Sequence, residues 1–287
     1  MANLRKIRTR IKSVESTRQI TKSMKMVAAA KLRRTQEAFG AQRDFAARCA
    51  VVLADVMVGQ RELRNPLLQP HPENKTVCYV LVLGNRGLCG TYNHALLRYQ
   101  EELARKDGRD CFLVVCGRWG RDLLPSLGIR VERSFDTLGD TPSAQESQEL
   151  AAYLRELYCS GKADEIRLVY QQYRSILQQS PHDRQLLPVK RLEEKGAADG
   201  RYLFEPDRDS LLDRLADMYI DNTVHSVLLE ARTGEHSARM TAMTAAADNT
   251  EELIAKLTLE LNHARQSAIT TEISEIVGGA AALNSDK

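Results

Sequence analysis

The last third of the chain contains a proline-free stretch that constrains the fold more than any other feature. About 75 residues, Asp209 to Leu283, pass without a proline, and apolar residues recur at intervals of three and four. Such spacing predicts a helix with a heptad-like seam, interrupted near Gly234. One continuous helix would be roughly 110 Å long. The predicted seam residues are Leu211, Leu215, Met218, Asn222, His225 and Leu229, then Met240, Met243, Ala247, Thr250, Ile254, Leu257, Leu261 and Ala264.

The end of this predicted helix is unusually apolar. Ile273, Ile276, Val277 and Leu283 lie there, and Glu272 and Glu275 are the only charged residues nearby. A free helix end is normally polar and frayed. The pattern therefore predicts either a tip held in an apolar sleeve of another protein or a tip folded back onto its own core.

The N-terminal residues 1–58 also contain no proline and predict a second long helix. A step of three from Val14 to Thr17 predicts a stammer, which locally overwinds a coiled coil. The seam predicted on this basis is Leu4, Ile7, Ile11, Val14, Thr17, Ile20, Met24 and Val27.

Charge is distributed unevenly, although the net charge is only +3. Residues 1–34 contain eleven basic residues and one acidic residue, whereas residues 207–287 contain seven basic and fourteen acidic residues. This complementarity favours an antiparallel coiled coil between residues 1–58 and 207–283. For the basic helix three interpretations stay open: an acidic protein partner, nucleic acid bound through its phosphates, or a solvated face paired with the C-terminal helix.

The middle of the chain, residues 75–190, has a different periodicity. Buried apolar runs at Thr76–Leu83 and Cys111–Cys116 alternate with amphipathic segments, and further strands are predicted at 129–131, 165–173 and 184–189. The alternation predicts an α/β domain of Rossmann-like type with a doubly wound, largely parallel sheet. Asp209 or Ser210 is the predicted cap of the last helix.

Cysteine usage and hydropathy indicate the compartment. The six cysteines form no C-x-x-C pair, and no stretch of 18 apolar residues occurs. A reduced, cytosolic protein without a membrane span is therefore expected.

The glycine loop at residues 84–91, after the first strand, invites comparison with nucleotide-binding loops. It has neither the lysine of a phosphate loop nor the G-x-G-x-x-G spacing of a dinucleotide fold. The six histidines do not cluster. We expect no cofactor, no metal and no catalysis within this chain.

Three blocks of sequence identify a family resemblance: Ile20–Lys31 (ITKSMKMVAAAK), Arg86–Gly90 (RGLCG) with Asn93, and Ala238–Met243 (ARMTAM), joined by residues 245–249, 264–272 and 275–277. In this order the chain resembles the gamma subunit of bacterial F-type rotary ATP synthases along nearly its whole length. The resemblance implies a non-catalytic rotor shaft that couples transmembrane proton (or sodium) flow to ATP synthesis or hydrolysis at the beta subunits. The nucleic-acid-binding coiled-coil protein with an α/β head stays as the alternative.

The resemblance also implies partners, location and contact residues. The partners are the ring of three alpha and three beta subunits, the epsilon subunit and the membrane c-ring, but no nucleic acid. The chain would sit at the cytoplasmic face of the bacterial cell membrane, bound only through the complex. The implied contacts are Met24, Lys25, Arg239 and Met240 with the beta lever loop; Arg265, Gln266, Thr270 and Glu272 with the beta catch loop; Ile273, Ile276, Val277 and Leu283 with an apolar bearing; and Tyr202 and Glu205 with the rotor ring.

Two departures from the family pattern stand out. Gly84-Asn85 replaces the common Ser/Thr-Asp before the RGLCG block, which puts the contacts of that loop in question. Gly234, within the predicted last helix, costs about 1 kcal/mol relative to alanine and predicts a local kink.

Overall fold

The computed structural model describes residues 2–57, 64–190, 205 and 207–285. Two compact units are formed. One consists of Ala28–Arg239, and the other combines the described residues before Ala28 with those after Arg239. The helices are α1 (Ala2–Met57), α2 (Tyr92–Asp107), α3 (Arg118–Leu123), α4 (Ala144–Cys159) and α5 (Arg208–Ser285); the strands are β1 (Thr76–Val82), β2 (Asp110–Cys116), β3 (Val131–Phe135), β4 (Glu165–Tyr173) and β5 (Gln179–Leu187).

The five strands form one sheet in the order β3-β2-β1-β4-β5. The first four are parallel and β5 is antiparallel at the edge. Val80 of β1 lies between Val114 of β2 and Leu168 of β4, and all three are buried. Strands covered on both faces need apolar residues at every position, which explains the continuous apolar runs in the sequence.

Helices cover both faces of the sheet. Buried side chains of α2 pack with Tyr79 and Leu81 on one face. On the other face, α4, the end of α1 and the first part of α5 pack with Cys78 and Val80. This arrangement, with the two long terminal helices, confirms the predicted fold class.

Two strands differ from the prediction. β3 begins at Val131. Ile129 lies in the loop before it and packs against the apolar cluster that contains Leu124. β5 begins five residues earlier than predicted and pairs its polar residues 179–183 with β4 across a tight turn. β5 is an edge strand, and its first residues are polar. Such residues give no hydrophobic pattern from which a strand could be predicted.

The start of α5 also differs from the prediction. Asp207, rather than Asp209 or Ser210, accepts hydrogen bonds from the backbone N–H of Ser210 at 2.8 Å and from its hydroxyl at 2.7 Å. Asp207 thus satisfies donors that are free at a helix N-terminus. By contrast, α4 begins with a capping box of Ser143 and Glu146.

The buried stripe of α1 contains no stammer. Thr17 is exposed, Ile20 is 57% exposed and Val27 is 55% exposed, so the predicted step of three is wrong. The stripe instead keeps alternating steps of four and three through the polar residues Arg18, Thr21 and Lys25. The sequence signal failed because polar side chains occupy seam positions there. The stripe comprises Leu4, Ile7, Ile11, Val14, Arg18, Thr21, Lys25, Ala28, Leu32, Thr35 and Phe39.

The stripe of α5 matches the prediction only after Met240. Met243, Ala247 and Leu257 are buried, as expected. Before Gly234 the predicted seam is displaced, because the sheet domain covers this part of α5 over a wide face. Of the predicted residues only Leu229 is buried, and the others lie at the edge of a stripe formed by Leu212, Ala216, Tyr219, Ile220, Thr223, Val224, Val227, Leu228 and Ala231.

α5 continues as a helix through Gly234. A Cβ atom at this position would lie 3.2 Å from Gln179 Oε1 and 3.4 Å from Tyr92 Cε2. The glycine therefore permits close approach of α5 to the sheet domain, at its cost in helix propensity.

The two long helices run antiparallel within each unit. In the unit Ala28–Arg239, Arg208 Nε donates to Val56 O at 2.9 Å and Gln42 Nε2 donates to Asn222 Oδ1 at 2.9 Å. In the other unit, Arg18 pairs with Glu251, and Ile7 lines a cleft together with Glu260.

The corrected seam of α1 predicts different effects for two neighbouring apolar residues. Leu32→Ala removes a side chain that is 3% exposed, and we expect a loss of about 2–5 kcal/mol from the free energy of unfolding. Val27→Ala should change it by less than about 0.5 kcal/mol, because Val27 is 55% exposed. Urea unfolding of the full chain measures both. Equal losses would support the stammer.

Candidate functional site

The loop after β1 lies where open α/β sheets usually bind ligands. β1 is flanked by β2 and β4, and the helices that lead away from β1 and into β4 cover opposite faces of the sheet. The strand order therefore reverses at β1. A crevice is expected outside the carboxyl ends of the strands at such a switch point.

In this chain helix α5 fills that crevice with three charged side chains, Arg232, Glu235 and Arg239. We call these three residues the α5 anchor. Arg232 Nη1 donates to Glu235 Oε2 at 2.7 Å, and Arg239 Nη2 donates to Glu235 Oε1 at 2.7 Å. The side chains of Arg232 and Glu235 are 2% and 4% exposed. One buried carboxylate thus bridges two guanidinium groups on successive turns of one helix.

The α5 anchor binds the backbone of the loop. Arg239 Nη2 donates to the carbonyls of Arg86 at 3.1 Å and Gly87 at 3.4 Å. Arg232 Nη1 lies 3.5 Å from the carbonyl of Leu83 at the end of β1. The carbonyls of the loop are therefore partners of α5.

Gly84 permits the close approach of the Glu235 carboxylate to the loop. A Cβ atom at position 84 would lie 3.0 Å from Glu235 Cδ and 3.3 Å from Asn93 Oδ1, closer than such atoms normally approach. Asn93 Oδ1 also accepts the N–H of Gly84 at 2.9 Å. The glycine that departs from the family pattern thus makes room for the carboxylate of the α5 anchor.

Further hydrogen bonds hold α5 against the ends of the neighbouring elements. Tyr92 at the start of α2 donates its hydroxyl to Ala231 O at 2.8 Å. Ser237 donates to Ile176 O in the β4–β5 turn at 2.9 Å. These bonds flank the α5 anchor on both sides, so the helix is fixed at several points around the crevice.

Electrostatics keep the α5 anchor ionised. Burial raises the pKa of the Glu235 carboxyl, but the attraction of Arg232 and Arg239 outweighs it, and the pKa lies below the ordinary 4.5. The neighbouring His236 is buried, and burial lowers the pKa of its imidazole. His236 is therefore neutral at pH 7, 3.9 Å from Asp140. Asp140 instead pairs with Lys31 of α1 at 2.7 Å.

The residues predicted for the beta lever loop lie on two helices. Met24 and Lys25 of α1 and Met240 of α5 are half-buried. Arg239 has a side chain that is 11% exposed, and its guanidinium binds Glu235 and the loop carbonyls of its own chain.

The residues predicted for the catch loop and the bearing lie beyond the paired part of the helices. Lys6 and Ile7, near the start of α1 at Ala2, lie beside Glu260 and His263. α5 continues to Ser285. The predicted contact residues on this extension whose side chains are described are exposed. They are Arg265, Gln266, Thr270, Glu272, Ile273, Ile276 and Val277.

Three further predicted residues have little or no description. Glu205 is exposed. Tyr202 lies outside the described residues, and Leu283 is described only as part of α5.

Arg232 and Glu235 were not among the site residues predicted from the sequence. The available signal was two opposite charges three residues apart beside Gly234, where the apolar seam slips. Charged residues on a predicted helix usually face water, so this signal does not identify a buried cluster.

Structural comparison first defines the class of protein. A chain of the rotor of the Euglena gracilis mitochondrial ATP synthase matches with a TM-score of 0.65 and 19% identity, over 93% of this chain and 99% of that one. A chain in the OSCP/F1/c-ring structure of the same enzyme matches with a TM-score of 0.70 and 22% identity, over 100% and 96%. The fold is that of rotor chains of ATP synthases.

Sequence comparison then gives the family. The family model described as ATP synthase matches residues 3–283. The ATP synthase gamma chain of Desulforamulus reducens is 46% identical over 284 residues, which covers 99% of this chain and 100% of that one. That of Moorella thermoacetica is 43% identical over 283 residues, with coverage of 99% and 100%. The chain belongs to the ATP synthase gamma chain family, which gives no support to the nucleic-acid alternative.

The described residues contain neither a membrane-spanning helix nor a cluster of metal-ligating side chains. No described helix combines the length and apolarity needed to cross a bilayer. The same residues contain no group of three or more His, Cys, Asp or Glu side chains placed to hold a metal ion.

The α5 anchor predicts a large effect of one conservative substitution. Glu235→Gln leaves two guanidinium groups buried without a counter-charge, and we expect a loss of about 3–5 kcal/mol from the free energy of unfolding. The matched control is Glu251→Gln, since Glu251 is 65% exposed and lies 3.8 Å from Arg18. That change should cost less than about 1 kcal/mol. Urea unfolding at pH 7 measures both.

The pH dependence gives the same prediction a second readout. Because the pKa of Glu235 is lowered in the folded chain, its stabilisation is complete above about pH 4.5 and is lost as pH falls through the folded-state value. The wild-type chain should therefore lose more stability than Glu235→Gln below pH 4.5. Parallel acid profiles would contradict an ionised Glu235.

Proposed function

We propose that this chain is the central shaft of an F-type ATP synthase and couples transmembrane ion flow to ATP synthesis or hydrolysis at the beta subunits by rotation. The observation that carries the proposal is the 46% identity with an ATP synthase gamma chain over the full length of both proteins. In this proposal the chain itself is not catalytic. Its partners are the alpha and beta subunits, the epsilon subunit and the c-ring.

The geometry supports a shaft, because a helix that transmits torque must keep a fixed orientation relative to the sheet domain that it turns. The α5 anchor joins α5 to the carbonyls at the end of β1 and in the following loop through charge-assisted hydrogen bonds from Arg232 and Arg239. Such bonds are directional, whereas apolar packing is not. Torque that enters α5 would therefore pass into the sheet domain at this site.

The crevice at the switch point supports a non-catalytic role. The position where open α/β sheets commonly bind nucleotides is filled by Arg232, Glu235 and Arg239 of the chain's own helix. We infer that nucleotide chemistry takes place on the beta subunits. Binding to the complex at the cytoplasmic face of the membrane follows from this proposal.

The contacts implied by the family stay as part of the proposal. The beta lever loop would contact Met24, Lys25 and Met240. It would also contact Arg239, whose guanidinium binds the loop after β1 of this chain. Arg265, Gln266, Thr270 and Glu272 are exposed, as a contact with another chain requires. Tyr202 and Glu205 would contact the rotor ring.

The apolar end of α5 supports a bearing in the alpha–beta ring. Ile273, Ile276 and Val277 are 56%, 67% and 62% exposed. Exposed apolar clusters of this kind mark interaction sites.

A purification from native membranes tests the function. We expect a tagged chain to recover alpha and beta subunits at about three copies each, as the family resemblance implies, together with ATP hydrolysis in the same sample. Subunit masses and hydrolysis rates are the measurements. Recovery of the chain alone, or with nucleic acid, would reject the shaft.

Substitutions at the tip test the bearing. Ile276→Asp places a charge in the proposed apolar sleeve, so ATP synthesis in membrane vesicles should fall several-fold, as should synthesis after removal of Ile269–Lys287. The control is Leu259→Asp, because Leu259 is also apolar and 61% exposed but lies earlier on α5. Unfolding of the truncated chain shows whether the sheet domain is intact. Unchanged synthesis after truncation would count against the bearing.

A further inference from the structure

A cleft on the unit Ala28–Arg239 has no role in the proposed shaft. It has a volume of about 430 Å³ and lies between α1, the adjoining strands β4 and β5, and α5. Ligand sites in proteins have volumes of roughly 300–1,000 Å³. The cleft is therefore large enough for a small molecule.

Three arginines line the cleft, and each comes from a different element: Arg43 from α1, Arg184 from β5, and Arg174 directly after β4. The only carboxylate among the lining residues is that of Glu230. Arg184 is half-buried, and Arg43 and Arg174 are exposed. Guanidinium groups on separate elements around one cleft can bind the oxygens of a phosphate or carboxylate group.

The present bonds of these arginines are weak or neutral. Arg43 lies 6.0 Å above the ring of Phe39 and 3.4 Å from its exposed neighbour Asp44. Arg184 donates to the hydroxyl of Tyr219 at 3.2 Å, and Arg174 lies 3.5 Å from the amide oxygen of Gln172. None of these contacts is a buried ion pair, in contrast to those of the α5 anchor.

Glu230 is only partly ionised near neutral pH. Burial raises the pKa of its carboxyl to about 7, although the N–H of Tyr173, which donates to Oε1 at 2.9 Å, and the charges of Arg184 and Arg43 act in the opposite direction. The hydroxyl of Tyr170 also faces this carboxyl. Protonation of Glu230 therefore makes the cleft more positive.

We propose that this cleft binds a small dianion, a phosphate- or carboxylate-bearing molecule, through Arg43, Arg174 and Arg184. The aromatic rings of Phe39, Tyr170 and Tyr173 line the same space and would contact the remainder of an organic ligand. A bound dianion would link α1, β5 and the end of β4 within this unit. The site is separate from the α5 anchor and from the exposed tip.

The position of Glu230 determines how binding depends on pH. The facing groups on the packed elements are Arg43, Arg184, Tyr170 and Tyr173, with Arg174 at the end of β4. Arginine and tyrosine do not change charge between pH 6 and pH 8. Protonation of Glu230 removes the one negative charge, so a dianion should bind more tightly as pH falls through about 7.

Calorimetric titration of the isolated full chain with sulfate tests the site. Sulfate stays a dianion from pH 6 to pH 8, and chloride keeps the ionic strength constant. We expect saturable binding, and Arg43→Gln and Arg174→Gln should each weaken it about tenfold. The matched control is Arg48→Gln, since Arg48 is exposed on α1 but does not line the cleft.

A fourth variant separates the titration of Glu230 from a general effect of pH. Glu230→Gln should bind sulfate at pH 8 as tightly as the wild-type chain does at pH 6. Thermal unfolding of each variant shows that the chain is folded. Absence of saturable binding, or equal weakening by Arg48→Gln, would overturn the proposal and leave the arginines to water or to acidic side chains of another chain.

Two competitors distinguish the source of the dianion. Magnesium-free ADP and inorganic pyrophosphate carry similar phosphate groups, but only ADP can use the aromatic side of the cleft. Tighter binding of ADP would assign the site to organic phosphates, and tighter binding of pyrophosphate would assign it to inorganic anions. Failure of both to displace bound sulfate would overturn the site. These measurements need no other subunit, so their failure would leave the shaft proposal unaffected.

Discussion

The hydrogen bonds from Arg232 and Arg239 to the carbonyls at the end of β1 and after it determine how α5 is oriented on the sheet domain. Apolar packing holds the helix against α4 and the sheet, but such packing is non-directional. The buried carboxylate has two guanidinium partners in one geometry, and these in turn bind carbonyls that follow β1. Rotation of α5 about its axis would break the bonds of Arg232 and Arg239 to these carbonyls.

The doubly wound sheet provides the place where α5 is held. The reversal of strand order opens a crevice at the carboxyl end of β1, and loop carbonyls face it. In many α/β proteins this crevice holds a ligand. Here it holds successive turns of α5, and the sheet domain serves as the attachment point for this helix.

Local patterns predicted the sheet well and the long helices only in part. Thr76–Val82 and Glu165–Tyr173 are buried on both faces, so their apolar runs were unambiguous. The stammer at Val14–Thr17 was wrong because Arg18, Thr21 and Lys25 occupy seam positions. The first seam of α5 was displaced because a domain covers it. The α5 anchor was missed because the burial of its charged side chains depends on how α5 meets the loop, which no local pattern encodes.

Gly84 has a consequence for the divergence of this family. A side chain at position 84 and the carboxylate of Glu235 would compete for the same space, since a Cβ atom would lie 3.0 Å from Glu235 Cδ. A change at either position therefore alters what the other can tolerate. Positions 84 and 235 lie 151 residues apart along the chain. A serine at position 84 would nevertheless require the side chain of Glu235 to shift by a few tenths of an ångström, so the two distant positions are coupled through this contact.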